Sequence, residues 1–462
     1  MAKHETEEQL WAYNCEDCVR TREVGEVELS TVEKLKLQEV EAFQQSLFWP
    51  VLQAMQRGVR IDLKARAEMS IELTNEMAKR EEYFKYVLGH PLNPRSGHQM
   101  MALFYNDLKL PIQIKRDTGK PTLDDKALKK LIVREPLVKP LIKAIQEYRS
   151  LGVFLSTFIS APLDYDNRMR CSYNICGTET YRLSSSKNTF GTGTNLQNIP
   201  KGDEEDAEGL HLPNIRKIFI PDPGFTFFDM DLDRADLQIV VWEADEADLK
   251  AALRMGVDMH LLNAYILSGK EPPPYEELVE THSKYLDHRM PYKVERQLAK
   301  SFIHGTNYGG GARTMAQAAG VTVHQADRFQ KIYFDRYPGL KRWHDRVYAQ
   351  LITKHYVDNR FGYRKFYFDR VEGLLPEALA WIPQSTVACV INRAWKNIYD
   401  NVPEIQVLLQ VHDSLAGQFP THLKDWSIAK QKENSQIVVP YDDPLVIPVG
   451  IKTSDKSWGD CK

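Results

Sequence analysis

Apolar and polar positions alternate in two different rhythms along this chain, and the rhythm changes near Pro162. The first 25 residues are polar. From Thr31 to about Arg80 apolar residues recur at helical spacing, broken at Trp49-Pro50 and at "RGVRID", which predicts a run of helices. "HPLNPRSGHQ" and "KRDTGKPTLDD" carry Asn, Asp, Thr, Gly and Pro in turn-forming order and read as loops. Between and after them the pattern is helical again, up to "IKAIQEYRSLGVFLSTFIS". Beyond Pro162, "NRMRCSYNICGTETYRLSSS" alternates like strand and turn, and "FTFFDMDL" is a β-rich apolar run. Residues 243–350 read as mostly helical, with a proline break at "EPPPYEE". "HYVDNRFGYRKFYF", "VLLQVHDSLAGQFP" and "IVVPYDDPLVIPVGIK" return to strand character, and "KGDEEDAEGLH" reads as an acidic surface loop. There is no internal repeat.

Composition narrows the class. With 462 residues, 43% of them hydrophobic, the chain can bury a large core, and its length suggests about three domains or subdomains. No window is long and apolar enough to span a membrane. "MAKHETEEQL" has no apolar core and is acidic, so it reads neither as a secretory signal nor as a transit peptide. Six irregularly spaced cysteines point to a reducing cytoplasm. Cys15 and Cys18 form a CxxC and Cys171 lies near Cys176, but that spacing is poor for structural zinc. The net charge of −3 hides an asymmetry: residues 1–50 hold 5 basic and 11 acidic side chains (−6), residues 51–150 hold 19 and 12 (+7). A basic segment of this kind suits a phosphate backbone, and a solvated helix face would account for it equally.

Three stretches carry candidate chemistry. "FFDMDLDRADLQ" crowds Asp229, Asp231, Asp233 and Asp236 behind an apolar strand. The first three would share one face if the strand ran that far. A calcium loop of D-x-D-x-D type needs Gly at its sixth position and Glu at its twelfth; here these are Arg234 and Val240. In "LLQVHDSLAGQF" an apolar strand delivers His412 and Asp413 to a turn. Asp231 and Asp413 on neighbouring strand ends could bind two Mg²⁺ ions and clamp an in-line phosphoryl transfer. The phosphate grip for such a site is "RQLAKSFIHGTNYGGG", where Arg296, Lys300 and His304 fall on one helix face and Tyr308 continues the row. Three stacked cationic or protonatable groups are unfavourable unless an anion compensates them, and a triphosphate would. "YGGGAR" lacks the GK[ST] ending of a P-loop, so its glycines are expected to end the helix.

An aspartate strand, an R-x3-K helix running on to Tyr-Gly, and a His-Asp hairpin, in this order, resemble motifs A, B and C of family A DNA polymerases. "TETYRLSSS", "NLQNIP", "GVDMH", "RYPGL", "QST" and a Trp near the C-terminus fall in family order as well, over roughly residues 30–462. The resemblance implies an α+β right-hand fold with an antiparallel-sheet palm, helical fingers and a helical thumb. It divides the chain into 26–165 (thumb), 166–245 (first part of the palm), 246–369 (fingers) and 370–462 (second part of the palm). It implies template-directed addition of dNTPs to a primer 3′ end, with two Mg²⁺ ions (Mn²⁺ as a substitute) held by Asp231, Asp413 and the backbone carbonyl of Leu232. It places Arg296, Lys300, His304, His260, Asp236 and Arg234 at the incoming dNTP and Tyr308 in stacking at the templating position. Arg182, Gln384, His412, Asn195 and Gln197 would touch the primer–template. Asp229 and Asp233 have no metal role in the family pattern and read as supporting or solvent-facing groups.

Several positions depart from that pattern. His304 stands where Phe or Tyr packs against the nucleotide sugar, and Asp236 where a longer Glu excludes the 2′-hydroxyl. Ser414 replaces the Glu of His-Asp-Glu, Tyr181 a glycine, and Ala380 an asparagine, while "KNTFGTGT" enlarges a loop. Such substitutions fit a divergent, phage-like member working in the (host) cytoplasm. "YNCED", Tyr13 to Asp17, has the Y-x3-D spacing that ends a 3′–5′ proofreading exonuclease, so residues 1–25 read as the remnant of one. Its other carboxylates would lie upstream, on a longer enzyme or a separate polypeptide, and the chain is expected not to proofread alone. A separate exonuclease part or a processivity factor joins primer–template DNA and dNTPs as an expected partner. Two rival classes are weighed: a single-subunit RNA polymerase, which shares "HDS" but not "RLSSS…NLQNIP", and an inactive DNA-binding accessory subunit, which would have lost Asp231 or Asp413.

Overall fold

The structure is a computed structural model describing residues 6–115, 117–200, 212–368 and 370–462. The acidic loop expected at 201–211 lies outside the described residues. The chain opens on helix α1 (Glu7–Lys34), which starts with a reciprocal capping box between Thr6 and Gln9 and buries no side chain. The 28-residue helix runs through residue 25 without a break, because its breaker-poor sequence gives nothing to stop it. The expected interruption at Trp49-Pro50 falls instead at Leu47, between helices Gln38–Ser46 and Phe48–Arg57. Pro50 sits in the first turn of the second helix, where a missing N–H breaks no intrahelical bond.

Helix α2 (Leu63–Leu88) begins on Asp62, whose carboxylate accepts from the Lys64 and Ala65 amides, and stops at Gly89 with φ +77°. It packs along α3 (Lys139–Val153). The far parts of these helices and the segment between them enclose a core of their own, with Phe84, Phe104, Leu128, Ile142 and Ile145 fully buried. A second, much larger core holds the rest of the buried apolar residues, with Met77 touching both.

Four antiparallel strands carry the chemistry. β1 (Phe225–Leu232) lies between β3 (Ser414–Pro420) and β4 (Val449–Ser454), and β2 (Gln406–Val411) pairs with the outer side of β3. Register places Asp231 opposite Ser414 on one side and Gly450 on the other. Phe228 stacks on Phe419 in the next strand, with ring centroids 6.0 Å apart. β1 ends at Leu232. Asp233 donates its amide to Pro448, the chain turns with φ +48° at Arg234, and α4 (Ala235–Ala244) begins. Asp233 therefore leaves the row that Asp229 and Asp231 form on the strand.

Three further helices frame the sheet end: α5 (Met259–Leu267), α6 (Lys293–Asn307) and α7 (Leu375–Asn401). α6 buries Ala299, Phe302, Ile303 and Thr306, which leaves Arg296, Lys300 and His304 on the opposite face. It stops at Tyr308, and Gly309 takes φ +74°: the glycines end the helix, as expected. The architecture is α+β with antiparallel sheets, as expected. No helix among the described residues is long and apolar enough to cross a membrane.

Candidate nucleotide and metal site

The turn between β2 and β3 consists of His412 and Asp413. His412 adopts φ +57°, as the first central residue of a tight hairpin must when its twist matches the strands. Gln410, fully buried, donates its side-chain amide to the His412 carbonyl at 2.6 Å and accepts from Gln197 at 2.8 Å. Asn195 in turn accepts from the Gln197 amide and from the Ser185 hydroxyl. Gln197, expected at the primer–template, is thus buried beneath the hairpin, and Asn195 caps the turn that holds it. Tyr181 explains its own departure: it has φ +59°, the backbone a glycine adopts freely. Its ring packs edge-on against Tyr363 at 4.5 Å, and its hydroxyl reaches the Arg364 carbonyl.

Asp413 lies beside the end of β1, where the Leu232 amide donates to the Asp413 carbonyl at 3.2 Å. Asp231, one residue earlier, is exposed at the same sheet end. Among the described residues no three His, Cys, Asp or Glu side chains gather into a metal cage; all six cysteines are free thiols. A pair of carboxylates on adjacent strand ends is the donor set that suits Mg²⁺, a hard ion that keeps its waters and shares its shell with substrate phosphates. The residues fit that ion. Asp229 is half-buried and pairs with Arg216 at 3.6 Å, whose guanidinium lies 3.9 Å over the Trp458 ring; Asp233 is exposed.

A cavity of about 400 Å³ opens next to this pair, lined by Arg234, Asp236, His260, Lys300, His304, Tyr308 and Asp413 among others. Seven residues singled out from sequence, drawn from the β1–α4 turn, α5, α6 and the hairpin, therefore meet at one place. Burial raises the Asp236 carboxyl above its usual range, against the pull of Arg182, 3.9 Å away, and of His304. Burial holds His260 down, to about 4. It also drives the Tyr308 phenol up, helped by the adjacent Asp236, and the His304 ring meets Tyr308 edge-on at 4.8 Å. Asp236 Oδ1, His260 Nδ1 and Arg182 Nε are buried without a hydrogen-bond partner, which marks a surface built for something polar. Gln384 lies half-buried on α7. The Arg234 guanidinium turns away to the Val257 carbonyl at 2.7 Å and to Glu280 at 3.0 Å.

Sequence reading passed over Asp258. It caps α5, accepting from the His260 and Leu261 amides, and it receives Arg296 Nε at 2.7 Å and the Tyr285 hydroxyl at 2.8 Å. Burial would raise its carboxyl, yet these hydrogen bonds keep it below the usual carboxylate range. The available signal was its position: an aspartate directly ahead of an apolar helical run.

The family model described as DNA polymerase family A matches residues 63–460. A thermostable DNA polymerase I of Thermus filiformis is 28% identical over 424 residues, 88% of this chain and 46% of that protein. DNA polymerase I of Deinococcus radiodurans is 27% identical over 417 residues, 88% of this chain and 40% of its own length. The chain thus spans under half the length of these curated relatives. Among solved structures, the POL domain of Pol1 from M. smegmatis, in complex with DNA primer-template and dNTP, aligns with a TM-score of 0.77 at 22% identity. That alignment covers 93% of this chain and 72% of the other.

Proposed function

The chain belongs to DNA polymerase family A, and from that membership we propose that it is a DNA-directed DNA polymerase, adding dNTPs to a primer 3′ end as a template directs, in replication or repair. The observation that carries the reading is the cavity in which Lys300 and His304 of α6, with Tyr308 at its end, face Asp236 of α4 and Asp413 of the hairpin. Residues 26–165 then serve as thumb, 166–245 with 370–462 as palm, and 246–369 as fingers. The +7 segment supplies the duplex grip. The reading goes with a cytoplasmic location, in keeping with six irregularly spaced cysteines.

Arg296 and Lys300 bind the triphosphate, one as a fork and one as a point charge, with His260 beside them. Tyr308 stacks at the templating position. Asp236 crowds the sugar 2′ position. Arg182, Gln384 and His412 touch the growing end, where minor-groove acceptors are nearly alike for every base pair and so report pair shape. Asp231, Asp413 and the Leu232 carbonyl are the groups that would hold two Mg²⁺ ions, or Mn²⁺ in their place, whose chemistry is to neutralise phosphate charge and make the 3′-hydroxyl a better nucleophile.

Primer extension on a primed single-stranded template with Mg²⁺ tests the reading. Wild type extends with dNTPs, and neither Asp231→Ala nor Asp413→Ala does. A wild type that binds the template and never extends it would remove the catalytic reading in favour of an accessory one.

A further inference from the structure

We propose that Asp258 is a positioning residue for the incoming triphosphate, fixing Arg296 to the first turn of α5, whose His260 lines the cavity. The inference rests on the polymerase reading above.

Asp258 is 1% exposed, and both its oxygens are fully used. Oδ1 accepts the His260 and Leu261 amides, each at 3.0 Å; Oδ2 accepts Arg296 Nε at 2.7 Å and the Tyr285 hydroxyl at 2.8 Å. One carboxylate thereby ties three segments: the start of α5, the middle of the fingers region at Tyr285, and α6. Its backbone is fixed as well, by the Leu278 carbonyl on one side and the Leu262 amide on the other. A buried carboxylate of this kind stands only with charged or hydrogen-bonded partners, so the pairing with Arg296 is a requirement of the fold and not an optional surface contact.

The consequence lies in which atom of Arg296 is engaged. Asp258 takes Nε, on the inner edge of the guanidinium. The two terminal nitrogens remain for phosphate oxygens, which a planar fork recognises two at a time. A free arginine loses much rotamer freedom when it docks on a ligand; one already held at Nε has lost most of it beforehand. The same carboxylate sets the direction of the α5 N-terminus, where His260 lines the cavity.

Asp258→Asn separates positioning from capping. Asparagine caps a helix as well as aspartate does, so the bonds at Oδ1 survive, while the charge and the acceptor facing Arg296 are lost. Single-nucleotide incorporation at saturating primer–template would be measured for wild type, D258N, R296A and the double variant. Equilibrium dNTP binding to a dideoxy-terminated primer complex, and Tm, would accompany it. D258N is expected to raise KM and Kd for dNTP about tenfold, the scale of one charge-assisted hydrogen bond, with kcat changed less and Tm lowered because the buried pair with Arg296 is broken. In the R296A background the same substitution is expected to add nothing. Tyr285→Phe, which leaves the Asp258–Arg296 pair and removes one bond to Oδ2, is expected to shift KM the same way by less, and this arm holds even if D258N folds poorly. Wild-type KM in both variants, or an equal loss with and without Arg296, overturns the inference while the polymerase reading stands. A wild type that incorporates nothing removes both.

Discussion

His260 and Asp236 face the same cavity, and burial disfavours the charged form of each. For His260 the folded state refuses a proton that the unfolded chain accepts at its ordinary value near 6.5. Its neutral form is the stable one, so the associated stability is complete above about pH 6.5 and is lost as pH falls toward 4. Buried His344 is shifted in the same direction. Melting followed by calorimetry between pH 7 and 4.5 should show Tm falling with acid, and His260→Gln should make that fall shallower; parallel curves would remove His260 as its source. Asp236 is the opposite case. Its carboxyl is raised by burial, so its ionised form strains the folded state at neutral pH. Asp236→Ala should leave or raise Tm at pH 7 while admitting ribonucleotides, with kcat/KM for NTPs up about tenfold or more, the usual scale for a pocket made larger by a small group. Unchanged dNTP/NTP selectivity would mean that Asp236 is no gate.

At the scale of elements, the β2–β3 hairpin is sensitive to a single backbone change. Gly417 sits at the register shift between β2 and β3. A Cβ there would lie 2.2 Å from the Gln406 carbonyl and 2.9 Å from the Phe228 ring. Gly417→Ala should cost about 1–3 kcal/mol, as overpacking does. It should also depress extension although Asp413 is intact, because the turn that carries Asp413 must shift. Wild-type Tm and rate would show that the hairpin yields without moving its tip. The same elements show what a sequence reader can and cannot see. β1, the His412–Asp413 hairpin and the cationic face of α6 were legible, since strand alternation, turn chemistry and i, i+4 spacing are local properties. The continuity of α1 was not, because a helix that buries no side chain has no apolar stripe to reveal its period. Nor was the burial of Gln197, whose partner Gln410 is 213 residues away. Asp258 went unread for the same reason: its cap is local, but its bonds to Tyr285 and Arg296 span 27 and 38 residues.

For the whole molecule, the decisive feature is that two cores meet along α2 and α3. The smaller one gathers Phe84 to Tyr148 and touches the larger through Met77. A unit with its own core can open by itself while the remainder stays folded. It coincides with the basic segment proposed to grip DNA, so the grip and the nucleotide site should be separable. Phe104 is fully buried in the small core, and Phe104→Ala should destabilise that core by about 3–5 kcal/mol. Amide exchange is then expected to quicken across residues 92–131 and to stay slow in β1, β2 and β3. Primer–template affinity should fall, and its salt dependence should flatten as ordered phosphate contacts are lost. KM for dNTP at saturating DNA should not move, because no residue of the small core lines the cavity. Faster exchange in β1 along with the small core would show that the two cores unfold as one. A changed KM without faster exchange would show instead that the grip and the site are coupled through α2 and α3 while both remain folded.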